Sequence, residues 1–187
     1  IGLCCGDGKF VAITASEYVE DTKFTVSNDK GETWSDLKPV GGCRRACEII
    51  YGHGKYIVRT EAYLYQNIPC IAISKDLSTW DVLDKLAGNF RPDAIGITNT
   101  GFCAAGQAAE IDGDYSKYYF SSEDGYTWNR STKEFVSANV YFLHAKGITW
   151  AFDGGGIAAS SDGDSWTEVF YQLSHDGVIT IGPMKGV

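Results

Sequence analysis

A short polar phrase that ends in tryptophan occurs four times in this chain of 187 residues. The first copy reads SNDKGETW, and the three later copies are one residue shorter: SKDLSTW, SEDGYTW and SSDGDSW. Four copies in one chain predict a repeat protein, in which one small structural unit is used again and again. The recurring Ser, Asp and Trp positions are Ser27, Asp29 and Trp34; Ser74, Asp76 and Trp80; Ser122, Asp124 and Trp128; and Ser160, Asp162 and Trp166.

A second phrase precedes each copy of the first and strengthens the repeat. It is a Gly-containing turn that leads into an apolar run, as in GDGKFVAIT (6–14) and GHGKYIVRT (52–60). Its later versions are NTGFCAAGQ (99–107) and AKGITWAFD (145–153). Two phrases in the same order, four times, define a repeat of about 40–48 residues.

The second repeat shows what one unit contains. ACEIIYG, KYIVRTEA, IPCIAIS and TWDVLDKL read as four consecutive strands, and the first two are joined by a two-residue turn. Repeated four-stranded antiparallel units are typical of an all-β fold, the β-propeller. The predicted blades are 1–40, 41–87, 88–135 and 136–170, and residues 171–187 are predicted to add an extra strand. The chain is interpreted as one propeller domain or a fragment of a propeller.

The residue types of the polar phrase suit a turn between the third and fourth strands. The Asp carboxylate can accept hydrogen bonds from backbone N–H groups within its own turn. The Trp then begins the fourth strand, where its ring can pack between neighbouring blades. We therefore expect all four tryptophans to be largely buried at equivalent positions.

SNDKGETW resembles the Asp box, S-x-D-x-G-x-T-W, of sialidase-like propellers, and the other copies resemble its shortened form. Leu77 replaces the Gly in the second copy. The composite repeat is similar to bacterial and phage-encoded propellers, including tail-fibre-like proteins. The resemblance implies the propeller fold and a structural function for the boxes, away from the ligand face. It leaves the activity open, because this family includes sialidases, other glycosidases, receptors, assembly factors and adhesins.

The sequence favours a non-catalytic function. Sialidases of the family carry a Phe/Tyr-Arg-Ile-Pro motif before the first box and three arginines that bind a carboxylate. Here FRPD (90–93) lies between the second and third boxes and lacks the Ile. Another glycoside hydrolase would need two carboxylates across a cleft, and no pair can be assigned among the acidic candidates. Those candidates are Glu17, Glu20, Asp21, Glu61, Glu110, Asp112 and Asp114.

The net charge and the residue composition restrict the kinds of partner and metal that the chain is expected to bind. The net charge of −8 disfavours nucleic acid and anionic lipid, and no apolar run is long enough to insert in a membrane. The cysteine and histidine spacing matches no zinc pattern, and Lys117 stands where a calcium loop over 112–123 would need Gly. We expect no cofactor and no metal.

The six cysteines read as reduced thiols from a reducing compartment. Cys4, Cys5, Cys70 and Cys103 lie in apolar runs and are expected to be buried. Cys43 and Cys47 share one Gly-rich connection, and the sequence leaves open whether they form a disulfide.

The predicted ligand surface consists of the connections between second and third strands together with those between one blade and the next, such as AGNFRPD (87–93). In a propeller they emerge on the face opposite the polar turns, and here they combine tyrosines with acids and amides, which suits sugar or protein recognition. The predicted ligand-binding residues are Tyr18, Tyr63, Tyr65, Arg91 and Tyr115. The expected function is recognition of a glycan or protein receptor, as in a phage-tail or surface adhesin. A glycoside hydrolase and an assembly scaffold are the alternatives. The expected location is a virion or cell surface, and the interpretation allows for the chain being part of a larger protein or an oligomer.

Overall fold

The computed structural model describes residues 2–14, 21–60, 71–83, 86, 90–109, 115–135, 140–154 and 156–171. Every regular element in this part of the chain is a β-strand, and none of its elements is a helix long and apolar enough to cross a membrane. The chain divides into two compact units, Ile1–Arg91 and Pro92–Val187. The predicted extra strand falls in 171–187, of which only Tyr171 lies within the described residues.

The described strands form four sheets of four strands each. Sheet 1 consists of β1 (Gly2–Gly6), β2 (Lys9–Thr14), β3 (Asp21–Ser27) and β4 (Lys38–Arg44). Sheet 2 consists of β5 (Ala46–Gly52), β6 (Lys55–Thr60), β7 (Ile71–Ser74) and β8 (Asp81–Leu83). Sheet 3 consists of β9 (Arg91–Ile97), β10 (Phe102–Ala109), β11 (Tyr115–Ser122) and β12 (Asn129–Glu134). Sheet 4 consists of β13 (Tyr141–Ala145), β14 (Ile148–Phe152), β15 (Gly156–Ser160) and β16 (Thr167–Tyr171).

Each sheet is an antiparallel meander in which every strand pairs with its neighbours in sequence. The predicted fold class is confirmed: the described residues are all-β and form four four-stranded antiparallel sheets. The first sheet continues past residue 40, because β4 ends at Arg44.

Two-residue turns join the first two strands of sheets 1, 2 and 4. In sheet 2, His53 and Gly54 both have positive φ, 49° and 71°. This geometry matches the right-handed twist of the flanking strands, and Gly adopts it without strain. The register places Gly6 opposite Lys9, Gly52 opposite Lys55 and Ala145 opposite Ile148, so these three hairpins are equivalent residue by residue.

The core of the first unit lies between sheets 1 and 2. Buried side chains from both sheets, among them Val11, Ile13 and Ile49, form one cluster. The Tyr56 hydroxyl donates a hydrogen bond of 2.9 Å to the Gly6 carbonyl and so ties the second sheet to the first. Gly6 is required there, because a Cβ at this position would lie 2.0 Å from the Tyr51 ring.

The core of the second unit lies between sheets 3 and 4. Tyr119 of β11 is buried and belongs to the same cluster as Ala151 and Trp166. The Thr149 hydroxyl donates a hydrogen bond of 2.7 Å to the Ile97 carbonyl, which links the two sheets through their first hairpins. A Cβ at Gly96 would lie 2.7 Å from the Phe142 side chain, so sheet 3 leaves room for an aromatic ring of sheet 4.

The exposure of the cysteine side chains contradicts one part of the prediction that they are buried. Cys103 is buried as expected, but Cys4 is half-buried and Cys5 is exposed. The prediction for Cys5 was wrong, because successive side chains of a strand point to opposite faces and both cannot enter one core. Cys43 and Cys47 do not form a disulfide with each other. Cys70 lies outside the described residues.

Candidate functional site

The four polar phrases form the turns between the third and fourth strands of each sheet, and we call them the Ser-x-Asp turns. In the fourth turn the Ser160 hydroxyl donates to Asp162 Oδ1 at 2.9 Å and accepts the Gly163 N–H at 2.8 Å. The same carboxylate oxygen accepts the N–H groups of Asp164 and Ser165, both at 2.9 Å. The Asp side chain therefore holds the backbone of its own turn.

The other three turns repeat this arrangement with small differences. In each, the Ser hydroxyl donates to the Asp carboxylate and accepts an N–H from the turn at 2.8 Å. Gly31, Gly125 and Gly163 supply a carbonyl that accepts the indole N–H of the following Trp. In the second turn Leu77 adopts a positive φ of 62°, and the buried Trp80 Nε1 has no hydrogen-bond partner. The second turn therefore lacks the indole hydrogen bond that the other three turns make.

The turn carboxylates are strongly acidic. Side-chain and backbone hydrogen bonds from Thr33 to the charged form lower the pKa of Asp29 to about 2. Hydrogen bonds from the backbone N–H groups within each turn also lower the pKa values of Asp76 and Asp124. A carboxylate that is ionised at neutral pH and already hydrogen-bonded is a poor general acid. These residues support the fold rather than proton transfer.

The turn tryptophans differ in their surroundings. Trp166 is buried and stacks on Tyr119 of the preceding sheet, with ring centroids 4.3 Å apart and planes 20° from parallel. Trp80 is half-buried and meets Phe24 of the preceding sheet edge to face, with centroids 5.5 Å apart. Trp128 is also buried.

Trp34 is 42% exposed, so the expectation that all four rings are buried was wrong for this copy. The rings of Trp80 and Trp166 pack on the sheet before their own, and sheet 1 is the first sheet in the described residues.

An open cleft of about 610 Å³ lies between the third and fourth Ser-x-Asp turns, in the second unit. Its acidic lining consists of Glu123, Asp124, Asp162 and Asp164. Two of these carboxylates already accept hydrogen bonds within their turns, which leaves only two outward-facing acids. In the described residues no group of three or more potential ligands is placed to hold a metal ion.

Two of the five predicted ligand-binding residues, Arg91 and Tyr115, lie at the edge of sheet 3 opposite its Ser-x-Asp turn. Tyr18, Tyr63 and Tyr65 fall in segments outside the described residues. Tyr115 is the first residue of β11, and Arg91 is half-buried at the start of β9. The structure therefore places two of the five predicted residues on strands, and their common surface stays a prediction.

The fourth sheet closes this edge with a minimal connection. The Asp153 N–H donates to the Gly156 carbonyl at 3.2 Å, and the Gly156 N–H donates back to Asp153 Oδ1 at 2.7 Å. The corresponding segments of the first three sheets, which include 15–20, 61–70 and 110–114, are longer. A sheet of this protein thus forms without a long insertion at this edge.

Sequence reasoning missed an ion pair near the same edge of sheet 2. Arg59 Nε donates to Glu48 Oε2 at 3.0 Å, and both side chains are partly buried. Arg59 stands one residue before the end of β6, next to the segment 61–70. The two residues are cross-strand partners, so a paired-strand alignment would have revealed them.

Three solved structures resemble the chain. A Hadza microbial sialidase matches with a TM-score of 0.62 at 15% identity, over 94% of this chain and 46% of its own. A Dyadobacter fermentans protein of unknown function matches with a TM-score of 0.56 at 13% identity, over 91% of this chain and 68% of its own. The GH43 β-1,3-galactosidase matches with a TM-score of 0.51 at 10% identity, over 89% of this chain and 44% of its own.

The chain therefore spans about half the length of the sialidase and of the galactosidase. At these identities the likeness shows the fold, which is that of propeller-type proteins. No family model and no curated protein sequence matches the chain.

Proposed function

We propose that this chain is a non-catalytic, glycan-binding propeller domain whose ligand-binding residues lie in and next to the long connections of the first three sheets. The observation that carries the proposal is the contrast at that edge. Sheet 4 closes with hydrogen bonds between Asp153 and Gly156, whereas the first three sheets have longer connections. The connections of sheets 1 and 2 contain tyrosines, and Tyr115 directly follows the connection of sheet 3. Ordering a long connection costs conformational entropy, so its retention is better explained by binding than by folding.

The residue types of these connections suit a sugar. Tyr18, Tyr63, Tyr65 and Tyr115 supply aromatic faces that stack on the apolar faces of sugar rings. Arg91 supplies charged donors for sugar hydroxyls or carboxylates. Two of the proteins that share the fold are named for glycan substrates, which agrees with a sugar ligand. Presentation on a virion or cell surface, as in a tail-associated adhesin, completes the proposal.

A glycan array probed with the full chain tests the proposal. The matched variant replaces 61–67 by Asp-Gly-Gly-Gly, the sequence that closes sheet 4 itself. We expect the parent to bind a defined set of glycans, and the variant to lose this binding while its melting temperature changes by only a few degrees. A variant that binds as well as the parent would contradict the assignment of the surface, and a parent without any glycan ligand would contradict the function.

The second candidate is a glycoside hydrolase, favoured by the names of the two propeller neighbours. The same preparation is incubated with fluorogenic sialosides and β-galactosides. If the parent chain releases the fluorophore and the variant with 61–67 replaced does not, the result favours an enzyme over a binding domain. Binding on the array without release is the expected result.

A further inference from the structure

Sheet 2 contacts sheet 1 through one face, and that contact defines how two successive sheets pack in this protein. Its face carries Ile49, Tyr51, Tyr56 and Trp80, all of which belong to or pack against the cluster shared with sheet 1. The Tyr56 hydroxyl reaches the Gly6 carbonyl. These four positions are therefore the ones that a sheet presents to the sheet before it.

The same four positions of sheet 1 are Leu3, Cys5, Phe10 and Trp34. The equivalence follows from register, because Cys5 pairs with Phe10 as Tyr51 pairs with Tyr56. Leu3 is 64% exposed where Ile49 is 4% exposed, and Trp34 is 42% exposed. We call these four residues the sheet-1 outer face. Its residues stand at the positions through which sheet 2 contacts sheet 1, but Leu3 and Trp34 are exposed to solvent.

Sheet 1 receives sheet 2 on its other face. Cys4 pairs with Val11 and Gly2 with Ile13, and both Val11 and Ile13 are fully buried in the shared cluster. This is the face that a sheet presents to the sheet that follows it.

The equivalent residues of sheet 4 are Tyr141, Leu143, Trp150 and Phe152, which we call the sheet-4 outer face. Leu143 pairs with Trp150 and Tyr141 with Phe152, the same pairs as in sheet 1. Tyr141 is 70% exposed, Leu143 55% and Phe152 37%. Sheet 4 is the last sheet in the described residues, and its apolar receiving face is open too.

We propose that the sheet-4 outer face of one copy of this chain packs on the sheet-1 outer face of a second copy, head to tail. None of the residues that define the two outer faces is charged. The sheet-1 outer face has the positions through which sheet 2 contacts sheet 1, and the sheet-4 outer face has the positions through which sheet 1 contacts sheet 2. Single exposed apolar side chains are ordinary on a protein surface, but a contiguous apolar face of this kind marks an interaction site. The proposal is independent of the glycan ligand.

Residue size fits this pairing at the position next to the hairpin turn. Inside the chain, the large Tyr51 requires Gly6 opposite to it. At the proposed contact, Ala145 takes the place of Gly6 and the small Cys5 takes the place of Tyr51. Tyr141 takes the place of Gly2, so the contact between copies is wider at that end than the internal one. The contact joins two different faces, and it is therefore heterologous.

The test is the oligomeric state of the full chain, measured by sedimentation velocity over a range of concentrations. We expect a concentration-dependent dimer or larger oligomer. Leu3→Glu and Leu143→Glu each place a charge in one face and should shift the chain to monomer. Thr132→Glu adds the same charge at an exposed position of β12 and serves as the control, which should leave assembly unchanged.

Mixing the two monomeric variants gives the decisive result. Leu3→Glu retains an intact sheet-4 outer face and Leu143→Glu an intact sheet-1 outer face, so the mixture should form a one-to-one dimer that grows no further. A monomeric parent would overturn the proposal and leave the two faces to other parts of the same chain or of a longer one. A mixture that stays monomeric, or single variants that still assemble, would overturn it as well.

Discussion

Replacing Trp166 by Ala should destabilise the second unit more than replacing Trp34 by Ala destabilises the first. The two residues occupy the same position of the Ser-x-Asp turn, and each indole N–H donates to a Gly carbonyl, at 2.8 and 3.1 Å. The hydrogen bond lost is therefore the same in both variants. What differs is the ring, which is 9% exposed in Trp166 and 42% exposed in Trp34.

The expected losses of unfolding free energy follow from this difference in exposure. Truncating a buried Trp to Ala costs about 3–5 kcal/mol, because transfer energy is lost and a cavity is left. The stack of Trp166 on Tyr119 places it toward the upper half of that range. Trp34 is open on one side, so its removal leaves no closed cavity and should cost about 1–2 kcal/mol.

The assay is urea denaturation followed by far-UV circular dichroism, in which the loss of unfolding free energy of each variant is measured against its parent. Both substitutions are made in the Leu143→Glu background, so that association through the sheet-1 outer face does not contribute to the stability attributed to Trp34. Equal losses of unfolding free energy, or a larger loss for Trp34→Ala, would refute the argument that the tryptophan acts by packing on the preceding sheet.

Three further predictions concern single side chains. The pKa of Asp29 is lowered to about 2 in the folded chain, so its stabilising contribution is complete above about pH 4. That contribution should fall as the pH drops from about 4 toward 2, and Asp29→Asn should flatten this part of the stability–pH curve. Leu77→Gly should relieve a strained positive φ but lose a buried side chain, for a net loss of about 2 kcal/mol in urea denaturation; a gain in stability would contradict it. Exposed Cys5 should react with a thiol reagent far faster than buried Cys103, and equal rates would show that the β1 faces are misassigned.

The sequence was informative where a structural element is local. The Ser-x-Asp turn is built from hydrogen bonds among residues within seven or eight positions, so its spacing in the sequence was enough to predict the sheet architecture. The Gly turns between first and second strands are local in the same way. Repeated local patterns therefore predicted the fold class.

Contacts between sheets were less predictable. Whether Trp34 is buried depends on a sheet packing against it, and the turn sequence carries no record of that neighbour. Cys4 and Cys5 were assigned together because their run is apolar, whereas the strand separates them by face. The candidate ligand-binding residues were least predictable, because spacing and composition do not specify how connections that are distant in the sequence are arranged.

The meander topology has an evolutionary consequence. No strand in the described part of the chain pairs outside its own sheet, and each sheet is encoded by one uninterrupted stretch of sequence. A duplication or deletion of one such stretch therefore adds or removes one complete sheet. The strand pairing within the other sheets is unchanged. Proteins of this design can lengthen or shorten by recombination in steps of one sheet, without passing through an intermediate that has a broken fold.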